Sequence, residues 1–135
     1  MKLRLECVKD VLEELEELPI GSHNLTAFQK SIEKHGEDDV LYTLVKLSEA
    51  EYINADVRRT MDGCPHIGGI FDLTFAGHEF LNIIRPPKIW ERVKCAAGKG
   101  GTVCLKVVGD IAFELLREQM RSQMSLRQHL FRFWG

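Results

Sequence analysis

Arg58 and Arg59 stand side by side in "YINADVRRT", a short way after Tyr42 and Lys46 in "VLYTLVKLSEAEYI". A guanidinium forks onto phosphate oxygens, an ammonium meets them as a point charge, and a phenol can donate or stack. The chemistry these residues could do is anion recognition, with double-stranded DNA as the expected polyanion. Arg92 and Lys94 in "KIWERVKCAA" extend the set, so the candidate DNA-binding residues are Tyr42, Lys46, Arg58, Arg59, Arg92 and Lys94. Two features oppose it. Asp39 and Glu49 accompany Tyr42 and Lys46, and carboxylates facing a polyanion are repelled, although Glu can accept from cytosine. Adjacent strand residues point to opposite faces, so only one of the two arginines faces a given groove. Pairing with acidic surface groups is the plain alternative for both.

Other chemistries find less support. Cys64-Pro65-His66 offers two metal ligands from one turn, but no second Cys/His pair stands at zinc-site spacing, and Cys95, Cys104 and His78 come from separate segments. The four cysteines (Cys7, Cys64, Cys95, Cys104) lie far apart in a chain with no export signal, which implies free thiols and a cytoplasmic location. "GKGG" at 98–101 lacks the spacing of a phosphate loop and follows a helix, so it reads as a helix stop and linker. His23, His35 and His129 are isolated, and no Ser/His/Asp set or carboxylate pair has local support. The expectation is no enzyme, no catalytic residue, no metal and no cofactor. No segment approaches the roughly 18 apolar residues of a membrane span, so no membrane partner is expected.

The elements that must position these residues follow from hydrophobic period. Leu5, Val8, Leu12 and Leu15 recur at helical spacing over residues 3–18, with Glu13, Glu14, Glu16 and Glu17 mostly off that stripe, until Pro19 and Gly21. Thr26 is placed to cap a second helix, "AFQKSIEKH", which Gly36 closes. A third begins near Asp38, with Val40, Leu41, Leu44 and Leu47 on one stripe and Tyr42, Lys46 and Glu49 opposite. "YINADVRRT" and "IFDLTF" read as strands joined by the Gly- and Pro-rich "MDGCPHIGG". Thr74 caps a helix ended by Pro86 and Pro87, and a short helix follows up to Gly98. A long amphipathic helix spans Thr102 to about Met124, with Val107, Val108, Ile111, Leu115 and Leu116 on one side. "SLRQHLFRFW" opens with a capping box at Ser125 and Gln128.

Three helices, a hairpin and further helices make a mainly α protein with a small β-hairpin (α+β), in the order of a winged helix-turn-helix with a carboxy-terminal helical extension. The expected division is 1–85 for the winged-helix part and 86–135 for the extension, within one compact unit. The segments "CVKDVLEELEEL", "EDDVLYTLVKLSEAEYI" and "LTFAGHEFLNIIRPPKIWERVK", with the later glycines, resemble the bacterial and phage family called domain of unknown function 2513. The resemblance covers most of residues 5–115, and Leu73 to Trp90 is its most specific part. It implies the winged-helix superfamily, whose third helix commonly ends in Leu-x-x-Ala-Gly-Leu-Ile. Here Glu51 stands where that pattern has Gly, the residue best suited to a left-handed helix end.

Function is then a choice between two classes. Residues 1–56 carry 6 basic and 13 acidic side chains, and 57–135 carry 12 and 7, so a polyanion would be drawn to the back half. The leading expectation is a DNA-binding regulator of a phage or mobile element, dimeric through the long helix. The alternative is an adaptor or inhibitor that binds a host protein. Ile111, Leu115, Leu130, Phe131, Phe133 and Trp134 are the candidate interface residues, because a terminus rich in large apolar side chains is ordered only where it docks.

Overall fold

The computed structural model describes residues 2–97 and 105–134, the side chains of 96–97, 105–107 and 123–134 excepted. Among the described residues it is mainly helical, with one antiparallel hairpin: α1 (Leu5–Glu17), a 3-10 turn (Leu25–Phe28), α2 (Gln29–His35), α3 (Glu37–Glu49), β1 (Ile53–Arg59), β2 (Pro65–Leu73), α4 (Phe75–Ile84), α5 (Pro87–Ala97) and α6 (Leu105–Trp134). No helix among these residues is long and apolar enough to cross a membrane. The chain forms two compact units, 1–82 and 83–135.

The first unit is built on α1, whose Leu5, Val8, Val11, Leu12 and Leu15 are buried along with Phe28, Val40, Leu44, Leu47, Ile53, Ile70 and Leu73. Glu14 is buried too, against the expectation that it lies off the stripe. Its carboxylate accepts from Lys30 N (3.1 Å), Ser31 N (3.0 Å) and Ser31 Oγ (2.6 Å). The two backbone N–H groups belong to the first turn of α2, where the helix itself cannot satisfy them. Thr26 therefore does not cap α2, and the preceding residues wind as 3-10 instead. Gly36, at φ +91°, separates α2 from α3. Thr43 and Val45 are buried on α3, whereas Leu41 is only half-buried.

The hairpin differs from its expected outline. β2 begins at Pro65, so the connection is Thr60–Cys64 and the glycines at 68 and 69 lie inside a strand. The pairing skips Gly68 and Phe71, leaving two bulges on β2. A Cβ on Gly68 would come 2.7 Å from Asp56 Oδ2, and one on Gly69 2.7 Å from Ser22 Oγ. Both are side-chain oxygens that can swing aside, so neither glycine is demanded by space, and Gly68 instead marks a bulge within the strand. Thr74 caps α4 as expected, accepting from Gly77 N at 3.0 Å.

In the second unit α5 packs on α6, and Ile84, Ile89, Val93, Val108 and Ala112 are buried. The expected break near Ser125 is absent: α6 runs unbroken for 30 residues. No Gly or Pro stands there to stop it.

Candidate functional site

Burial of Val40, Leu44 and Leu47 fixes the roll of α3 and leaves Tyr42, Lys46 and Glu49 on its outer side. The helix then ends in a paired left-handed turn. Tyr52 N donates to Leu47 O at 2.9 Å and Glu51 N to Ser48 O at 3.1 Å, with Glu51 at φ +63°. The left-handed end forms although Glu occupies it. Thr74 reinforces it, its hydroxyl donating to Glu51 O at 2.6 Å and its N–H to Tyr52 O at 3.0 Å. The chain leaves this turn directly as β1.

That geometry brings Arg59 back over α3. Its guanidinium lies 3.8 Å from Glu49 Oε1, while Lys46 Nζ lies 3.0 Å from Glu49 Oε2 and 5.4 Å above the Tyr42 ring. Lys46 and Arg59 thus meet around one carboxylate, with the Tyr42 ring beneath Lys46. Arg58, on the other face, lies 3.4 Å from Asp56 Oδ1. At the tip, Gly63 at φ +84° lets its N–H donate to Thr60 O, and Met61 is wholly exposed. The Asp62 carboxyl is held below the usual carboxylate range by the Thr60 hydroxyl and then by Cys64 N–H. From Glu37 to His66 there are seven carboxylates (Glu37, Asp38, Asp39, Glu49, Glu51, Asp56, Asp62) and three cations. The face is acidic.

The other candidates belong to the second unit. Arg92 lines a shallow recess with Lys88, Glu91, Cys95 and Gln119, and Lys94 Nζ sits 5.7 Å over the Trp90 ring. Ile111 and Leu115 are half-buried on α6, where Phe113 and Met120 are exposed instead. The side chains of Leu130, Phe131, Phe133 and Trp134 lie outside the described residues, as does Cys104. Cys7, Cys64 and Cys95 are free thiols. Burial pushes the Cys7 thiol up, against a hydrogen bond from Thr43.

Sequence reasoning missed one polar cluster. His35 is not isolated: its Nε2 lies 2.7 Å from Asp10 Oδ2, with Lys34 Nζ at 3.1 Å from the same oxygen. Burial pushes the Asp10 carboxyl up, but the bonds to His35 and Lys34 outweigh it and hold the group below its ordinary value. Two residues 25 apart on different helices leave no local pattern to find them by.

A family model described as "Hypothetical protein (DUF2513)" matches residues 2–103. No curated protein and no solved structure matches.

Proposed function

We propose, from the premise that this chain belongs to the family described as hypothetical protein DUF2513, that it is a winged-helix regulatory module acting through the face of α3 and the hairpin. Support for the winged-helix reading lies in three helices leading, through one tight turn, into a hairpin whose arm returns over the third helix. Charge then selects the partner. Duplex binding draws on Lys and Arg left free to neutralise phosphates, whereas here Lys46 and Arg59 both face Glu49 and Arg58 faces Asp56. The single observation that carries the proposal is this acidic, internally paired face. It suits a host protein that presents basic side chains, and the module is then an adaptor or inhibitor.

DNA binding is the second reading, favoured by the meeting of Lys46, Arg59 and Tyr42 on one patch. Exposed ion pairs are worth about 0–1 kcal/mol, so phosphates could displace Glu49 at small cost. One experiment separates the two. Tagged full-length protein is used to capture partners from its host lysate, with and without nuclease, and is compared with a Glu37→Lys/Asp38→Lys variant. The proposal expects a captured protein that resists nuclease and is lost in the variant. A wild-type gel shift on random duplex at low salt, abolished by Arg58→Ala/Arg59→Ala, would establish the second reading instead.

A further inference from the structure

The hairpin leaves one of its two edges open. On the far side of β2, His23 and Ile70 exchange backbone bonds of 2.8 and 2.9 Å. β1 has no strand on its outer side among the described residues. The groups that point there follow from the alternation of an antiparallel ladder, in which successive residues turn N–H and C=O to opposite sides. At one end Tyr52 O accepts from Thr74 N, and at the other Thr60 N donates to Cys64 O. Even-numbered residues therefore face β2. Both bulges lie on β2, so nothing interrupts the alternation along β1. Pro65, which has no N–H to offer, stands opposite Arg59 at a position whose N–H would point away from β1. Ile53, Ala55, Val57 and Arg59 are left with N–H and C=O aimed at the open edge.

Side chains decide what can pair there. Asp56 and Arg58 share one face of the strand, 3.4 Å apart, and both are solvent-accessible, at 43% and 76%. We propose that the edge is a contact between two copies of this chain, paired antiparallel about a twofold axis at Val57. In that register Asp56 lies opposite Arg58 of the second copy at both ends of the axis. The outward groups of Ala55, Val57 and Arg59 exchange about six backbone hydrogen bonds. Moving the axis to Asp56 sets Asp56 against itself, and moving it to Arg58 sets Arg58 against itself. Like charges directly opposite destabilise a strand pair, so both neighbouring registers are disfavoured, and among the outward-facing axes Val57 is the one that sets Asp56 against Arg58. The same charges deter unrelated strands from a bare edge. Seven residues bury less than the roughly 1,200 Å² of a stable interface, so the dimer is weak and concentration-dependent. This contact uses the edge of β1 and leaves Tyr42, Lys46 and Glu49 on the outer side of α3 untouched.

Sedimentation of the full chain over a concentration series tests it. Wild type should pass from monomer to dimer, and Asp56→Arg or Arg58→Asp alone should raise the dissociation constant about tenfold or more. Mixing the two variants should restore association as a heterodimer, and the double variant should restore it within one chain type. Unchanged circular dichroism and melting would show that each variant folds. A wild type that stays monomeric throughout, a dimer indifferent to both single changes, or a mixture that does not re-associate would each overturn the proposal.

Discussion

At the residue scale, two side chains hold positions that cost or contribute in measurable ways. Glu51 sits at φ +63°, where a non-glycine residue is disfavoured by roughly 1–2 kcal/mol. Nothing else in the turn needs its side chain, since the bonds there use backbone and Thr74. Glu51→Gly should therefore stabilise the protein by about 0.5–1 kcal/mol, after the added freedom of the unfolded glycine. Thermal melting checks this, and a lowered melting temperature would refute it. Asp10 acts through charge. Its folded carboxyl is depressed below its unfolded value near 3.9. A depressed acid contributes stability above its unfolded pKa and loses it as pH falls through the folded one. Asp10→Asn should be less stable at neutral pH, and the gap to wild type should close below about pH 4. Urea unfolding at a series of pH values measures it.

At the scale of elements, the deciding contacts reach from one element to the end of another. Glu14 of α1 satisfies the first turn of α2 with three hydrogen bonds. Glu14→Ala strands two backbone N–H groups and should cost about 1–2 kcal/mol. Glu14→Gln, which keeps one acceptor, should cost less, and chemical denaturation can rank the pair. Gly77 of α4 shows the same dependence in backbone form. A Cβ there would run into the Tyr52 carbonyl oxygen, the group that ties α4 to the exit of α3. Gly77→Ala should destabilise by roughly 2 kcal/mol or more, because backbone cannot yield as a side chain does. A variant that melts with wild type would mean the two backbones lie further apart.

At the scale of the whole molecule, the first unit carries a core of its own. Leu5, Val8, Val11, Leu12, Leu15, Phe28, Val40, Leu44, Leu47, Ile70 and Leu73 are all buried within residues 1–82. A fragment ending at Arg85, which keeps α4 whole and stops before the two prolines, should fold and melt cooperatively. Circular dichroism under denaturant tests this, and a gradual, non-cooperative loss of helix would show that the second unit is needed. The charge asymmetry belongs to this scale also. An acidic front half and a basic back half give salt-sensitive association with any charged partner.

The sequence alone determined the helices whose apolar residues repeat with a clean period. α1 and α4 also end before Pro and α3 follows Gly36, because period and breakers are local properties of the chain. It also determined the hairpin's existence, from Tyr, Ile and Val on either side of turn residues, and the Thr74 cap. Local pattern could not tell a glycine that turns the chain from one that sits in a bulged strand. Gly68 and Gly69 lie within β2, with Gly68 skipped in the pairing as a bulge. Nor could it place Glu14 or the Asp10–His35 pair, whose partners come from a different helix. The candidate face divides in the same way. Tyr42, Lys46 and Glu49 were legible together as one side of a helix, but the return of Arg59 onto Glu49 depends on a left-handed turn at a residue that disfavours it. Only the packing of Thr74 and α4 against that turn, which holds Glu51 where its own preference would not, decided which charges meet.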